Sequence, residues 1–165
     1  MGGGGGGRGL SPGDYDSLQE KARKLMSQAS GPSKCNAFIS FATEDLSEVN
    51  LLRGQAKNEA SGIEFNDRSL KEPFDSKDAE YIRRGIRERI RQCSVTIIYV
   101  SENTAQSKWV DWEIRESVAQ GKGLLAVYQG ETPPAVLPAA INEFKIRVVR
   151  WDWKELPKAI KDAAK

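Results

Sequence analysis

Two residues whose types and spacing could do chemistry stand in the run VTIIYVSENTAQSKWVDWE of residues 95–113: Trp109 and, four positions on, Glu113. On a helix, positions i and i+4 lie one above the other, so an indole and a carboxylate would project together. The carboxylate can stabilise positive charge that develops in a transition state, while the indole positions the reacting group and excludes water. The same pair also fits a solvated surface helix, with Glu113 paired to Lys108, Arg115 or Lys122. Location in a crevice would raise the functional reading without deciding it.

Other chemistry is excluded by what the chain lacks. Histidine is absent, which removes Ser-His-Asp triads, Cys-His pairs and the commonest zinc and iron ligand sets. Two cysteines, Cys35 and Cys93, make neither a disulfide framework nor a four-ligand zinc site, so no metal is expected and both thiols read as buried, inert fillers. The six glycines at positions 2–7 formally contain GxGxxG, but no strand precedes them, and no P-loop occurs. Carboxylates, hydroxyls, Lys and Arg remain. One carboxylate suffices to cleave the N-glycosidic bond of NAD, because the bound nicotinamide is already cationic and departs as a neutral ring. No general acid is needed, unlike hydrolysis of oxygen glycosides by two carboxylates. Capture by water gives ADP-ribose, and capture within the molecule gives a cyclic product.

The elements that position the pair alternate along the chain. A glycine-rich tail over residues 1–13 is expected to be disordered. An amphipathic helix follows over residues 14–30, with Tyr15, Leu18, Ala22 and Leu25 on one stripe that docks on the main domain or on a neighbouring copy. The main domain covers residues 34–165. Strands are expected at 36–41, 63–65, 95–100, 124–128 and 146–151. Helices are expected over 44–57, from 75 or 76, from 108 behind a Ser107 cap to Gly121 and Gly123, and from 154. Val49, Leu52 and Ala56 face inward on the first of these helices, and Ala79, Ile82, Ile86, Ile90 and Cys93 share a face of the second.

Five strands alternating with helices predict an α/β fold, a parallel sheet of flavodoxin-like order 2-1-3-4-5 with helices on both faces. Its switch point lies between the first and third strands. Loops 42–45 and 101–107 then flank one crevice, with Trp109 and Glu113 on its wall and Ser101 and Asn103 as candidate substrate contacts. Phosphotransfer is disfavoured because the third strand ends in Val100 and Ser101 rather than Asp, and flavin binding because FATED, residues 41–45, holds no glycine.

The segments AFISFATED, at residues 37–45, and SKWVDWE, at residues 107–113, resemble the opening strand and the Trp-to-Glu helix of TIR domains. With VNLLRGQAKN, EFNDRSLKEPFDS and SVTIIYVSENTAQSKWVDWEI, the chain is most similar to the TIR-like proteins of the bacterial Thoeris anti-phage system, over residues 34–153. The resemblance implies a TIR fold that consumes NAD as substrate without a cofactor, making a cyclic ADP-ribose isomer. That diffusible nucleotide then reaches a separate effector protein. It implies Glu113 as the catalytic position, Trp109 as the Trp before it, and Ser40, Phe41 and Thr43 beside the NAD site. Asp67, Ser69 and Lys71 would belong to the loop used for gating and assembly. Homo-oligomerisation is expected, although Asn36 and the absence of a Pro-Gly turn in SLKEPFDS depart from receptor TIR domains. Some TIR domains are non-catalytic adaptors, which is the alternative function.

Bulk properties bound the setting. The 165 residues fit one domain with an appendage, and 39% apolar with 29% charged residues is ordinary for a soluble protein. No apolar run approaches the roughly 18 residues needed to span a bilayer. A net charge of +2 gives no field for nucleic acid or membrane. With no signal peptide pattern, the cytoplasm is the expected compartment. Trp112, Trp151 and Trp153 read as packing residues, and Arg83, Arg84, Arg87, Arg89 and Arg91 as a solvated or partner-facing helix surface.

Overall fold

The computed structural model describes residues 11–29, 35–59, 61–66 and 73–165. The expected loop residues Asp67, Ser69 and Lys71 lie outside the described residues. The chain divides into two units, Met1–Ser33 and Lys34–Lys165.

In the first unit, α1 (Pro12–Ala29) opens two residues before the expected start. The amide and hydroxyl of Ser11 both donate to Asp14 Oδ2, at 2.9 and 2.7 Å. Pro12 occupies the first helical position, where a missing N–H goes unnoticed. The Ser11 bonds also hold the Asp14 carboxyl below the usual range.

The second unit is built on five strands: β1 (Cys35–Ser40), β2 (Ile63–Asn66), β3 (Val95–Tyr99), β4 (Gly123–Tyr128) and β5 (Val148–Arg150). They form one sheet in the order β2-β1-β3-β4-β5, every neighbouring pair parallel. The expected topology holds. Strand β3 is central and buried along its whole length, which is why it reads VTIIY without polar alternation.

Helices cover both faces. Ala37 and Ile39 of β1, Ile97 of β3 and Leu125 of β4 pack with Val49 and Leu52 of α2 (Leu46–Asn58) and Leu156 and Ile160 of α6 (Leu156–Ala163). On the opposite face Phe38 meets Ile82, Ile86 and Ile90 of α3 (Ala79–Arg91). Beside it Ile98 and Ala126 meet Val110 and Ile114 of α4 (Lys108–Ala119) and Ile141 of α5 (Ala139–Glu143). Successive strand residues point to opposite faces, so this division follows from the period of two.

Several boundaries differ from expectation for local reasons. Helix α3 begins at Ala79 rather than at 75 or 76, because residues 74–78 form turns in which Ser76 N donates to Pro73 O and Ala79 N to Ser76 O. A 3₁₀ turn, Thr43–Asp45, precedes α2. Strand β5 is three residues long instead of six, since Lys145 turns at φ 53° and the Ile146 amide closes onto Ile141 O of α5. Helix α6 starts at Leu156 rather than 154. Cys35 and Cys93 are free and buried, and burial pushes both thiols up. Trp151 is buried in the core and Trp153 packs against it, as expected of packing residues.

The chain end closes over the amino ends of β3 and β4. The Lys165 amide donates to Ser94 O, and a Cβ on Gly123 would stand 1.6 Å from the Ala163 carbonyl oxygen. Backbone cannot yield as a side-chain tip can. Gly123→Ala is expected to displace the end of α6 and destabilise the protein by about 1–3 kcal/mol. Thermal unfolding checks this, and an unchanged Tm would contradict the close approach.

Candidate active site at the first and third strands

Helix α4 carries the expected catalytic carboxylate, and buried polar contacts fix its height on the sheet. Its start is capped by Ser107, whose hydroxyl accepts from Val110 N at 3.3 Å. One turn beyond Glu113, the Ser117 hydroxyl donates to the Glu113 carbonyl at 2.8 Å and lies 2.8 Å from the Thr96 hydroxyl of β3. A serine has one hydroxyl proton, so Thr96 must be the donor to Ser117. This rung, with both residues at 0% exposure, pins α4 to the central strand.

From that anchor the Glu113 side chain reaches the carboxyl end of β1, where Ser40 Oγ donates to its Oε2. Glu113 is 4% exposed and Ser40 0%. A carboxylate withdrawn from water needs donors, and Ser40 supplies one. The surface-pair alternative fails on this burial. Its proposed partners are also engaged elsewhere: Lys108 with Asp75 at 3.1 Å, Arg115 with Asp111 and Glu143 at 2.9 and 2.8 Å, and Lys122 with the Arg91 carbonyl at 2.9 Å.

A cleft of 420 Å³ opens at the same end of the sheet, its wall reaching Trp109 but neither Ser40 nor Glu113. Thr43 and Glu44 line one side, Phe74 another, and Glu102, Asn103, Gln106, Ser107, Lys108 and Trp109 the third. These segments follow β1, β2 and β3, so the cleft sits where the strand order reverses. Trp109 forms part of its wall. Glu113 lies one turn further along α4, about 6 Å by the helical rise.

The wall is an aromatic cluster braced from α3. Phe74 meets Trp109 edge-on at 4.9 Å, and Trp109 meets Trp112 at 6.0 Å. The Arg83 guanidinium stands 4.2 Å over Phe74, 5.8 Å from Trp109 and 5.9 Å from Trp112, and donates to the Phe74 carbonyl at 3.3 Å. Arg87 lies 5.4 Å over Trp112 while pairing with Glu80 and Glu116. Two of the five arginines expected on a solvated surface are therefore packed against rings.

The structure brings Ser40, Thr43, Ser101, Asn103, Trp109 and Glu113 to this end of the sheet. Phe41 is not with them. Adjacent strand residues face opposite ways, so Phe41 packs on the α2 and α6 side, 5.6 Å beneath Arg53. Ser101 and Asn103, expected as substrate contacts, both donate to Asp45, at 2.5 and 2.9 Å, although Asn103 still lines the cleft. Asp45 is 5% exposed and was not singled out from the sequence. Its partners are 56 and 58 positions away, so only pairing the two crevice loops could have revealed it. Among the described residues no cluster of three or more Cys, Asp or Glu side chains is placed to hold a metal ion.

The sequence model of the family described as "Thoeris protein ThsB, TIR-like domain" matches residues 38–133, more than half of the chain. Among solved structures, the TIR domain of the Toll-related receptor TRR-2 from Hydra magnipapillata is similar at a TM-score of 0.54 and 17% identity, covering 76% of this chain and 97% of that one. The CMP N-glycosidase BcmB of Clostridium botulinum is similar at a TM-score of 0.48 and 14% identity, covering 76% and 98%. No curated protein sequence matches.

Removing the hydroxyl of Ser40 takes a donor from a buried carboxylate. Ser40→Ala is expected to destabilise the fold by about 1–3 kcal/mol, and the loss should shrink in a Glu113→Gln background, where no charge is buried. Denaturant unfolding of the two single variants and the double variant measures this coupling. Strict additivity would mean that the two side chains do not interact.

Proposed function

Because this chain belongs to the family of TIR-like domains of the Thoeris protein ThsB, we propose that it serves anti-phage defence as an enzyme cleaving the nicotinamide N-glycosidic bond of NAD. The observation that carries the reading is the Glu113 carboxylate, buried and bonded to Ser40 at the carboxyl end of β1, one helical turn beyond the Trp109 wall of the cleft. In an open parallel sheet, that is where a nucleotide binds.

In this reading the nicotinamide ribose enters against Trp109, and Glu113 faces the ribose. As the glycosidic bond lengthens, positive charge grows on the anomeric carbon and ring oxygen, and the carboxylate stabilises it. The bonding electrons leave with nicotinamide, which becomes neutral and needs no proton. Ser40 fixes the Glu113 rotamer through the bond that it donates. Trp109 and Phe74 exclude water from one side of the sugar. The ribosyl cation is then captured by water, or by another group of the same molecule to give a cyclic ADP-ribose isomer that diffuses to an effector. Action in the cytoplasm as a homo-oligomer belongs to the same proposal. Among the described residues, no helix is long and apolar enough to cross a membrane.

Nicotinamide release by purified protein, and NAD depletion in phage-challenged cells, test the proposal against Glu113→Gln. Loss of one charge-stabilising group from a transition state is expected to cut the rate by about 10²–10³-fold, without preventing folding. Equal release and equal depletion by the two proteins would refute the role of Glu113. Phage protection retained by Glu113→Gln would favour a non-catalytic adaptor.

A further inference from the structure

Asp45 is a buried carboxylate that the proposed chemistry does not use. It belongs to the 3₁₀ turn after β1, directly following the cleft residues Thr43 and Glu44. Both of its oxygens face the loop across the cleft. Oδ2 accepts from the Ser101 hydroxyl at 2.5 Å and Oδ1 from the Asn103 amide group at 2.9 Å. The network continues inward: Ser101 N donates to Thr104 Oγ1 at 2.7 Å, and Thr104 Oγ1 donates to the Tyr99 carbonyl at the end of β3, at 3.2 Å. Asn103 N closes a turn onto Ser101 Oγ at 3.0 Å. The Thr104–Gln106 turn built on this network delivers Ser107, the cap of α4, and hence Trp109.

We propose that Asp45 is a positioning residue that clamps the two loops flanking the cleft and so sets how tightly the site holds a dinucleotide substrate. The inference rests on the NAD-cleaving reading. Asp45 is itself absent from the cleft wall, so it acts through Thr43 and Glu44 on its own side and Glu102 to Ser107 on the other. Both donors are neutral, and desolvating a carboxylate for two neutral hydrogen bonds contributes little to folding, since an apolar side chain would fill the site without that cost. What the charge provides is geometry. Two acceptor oxygens on one rigid group bind the two donors at once and fix the distance between the loops. A clamp of this kind limits ground-state binding of the substrate more than the chemical step, because Glu113 is held independently by Ser40, Thr96 and Ser117.

The experiment compares full-length wild type with Asp45→Ala, Asp45→Asn and Asn103→Ala in two measurements. The first is amide hydrogen exchange. The clamp predicts exchange at least about tenfold faster at Asn103, Thr104 and Ser107 in Asp45→Ala, with the Val100 amide of the sheet unchanged. The second is steady-state nicotinamide release, where KM for NAD should rise about tenfold in Asp45→Ala while kcat stays within about twofold. Asp45→Asn, which keeps one acceptor oxygen, should recover part of both effects. Should Asp45→Ala fail to fold, Asn103→Ala, which removes one of the two donors and also part of the cleft wall, is read by exchange alone. Unchanged exchange in the loop overturns the clamp. So does exchange raised uniformly across the sheet, or a fall in kcat with constant KM. A wild type that releases no nicotinamide would sink the NAD reading alone, because exchange judges the clamp without turnover.

Discussion

The site depends on one constraint: the Glu113 carboxylate is buried, so it must be hydrogen-bonded. Its Ser40 partner ends the first strand, 73 positions earlier in the chain, and the bond forms only when β1 and β3 lie side by side with α4 above them. The sheet order that places β1 between β2 and β3 is therefore what assembles the carboxylate's surroundings. The order reverses at that point, the loops after the two strands diverge, and a cleft opens between them with Trp109, one turn before Glu113, on its wall.

Packing then limits how far the pair can drift. The Thr96–Ser117 rung sets α4 against the central strand on one side of Glu113. On the other side Trp109 is wedged among Phe74, Trp112 and Arg83. Asp45 couples the two loops above them. Each device is a buried or half-buried contact between segments remote in sequence. The site is held by the domain as a whole rather than by a local motif, in keeping with the need to place catalytic groups to within about 0.5 Å.

Much of this was legible in the sequence. Period-two and period-3.6 patterns placed five strands and their helices, and Val49, Leu52, Ala56, Ile82, Ile86 and Ile90 are buried as that periodicity requires. Trp109 and Glu113 were identifiable because their spacing is local, and AFISFATED and SKWVDWE carried the resemblance to TIR domains that the family match now supports. Partnerships between loops were not legible. Asp45 reads as one more acidic residue at a helix start, and only the folded sheet shows that Ser101 and Asn103 donate to it. The resemblance implied Phe41 beside the site, yet alternation along the chain places it on the other face of the sheet from Ser40. The arginines of α3 looked like a solvated stripe because the rings that Arg83 and Arg87 cover come from other segments.

The central claim is that the buried carboxylate faces the sugar of NAD. A crystal structure of the Glu113→Gln protein with NAD bound tests it most directly. The account predicts the nicotinamide ribose beside Trp109, with the residue 113 side chain about 3–4 Å from the ribose, within reach of its hydroxyls and anomeric carbon. NAD bound away from the ends of β1 and β3, or with its ribose turned from residue 113 by more than one water's width, would contradict it.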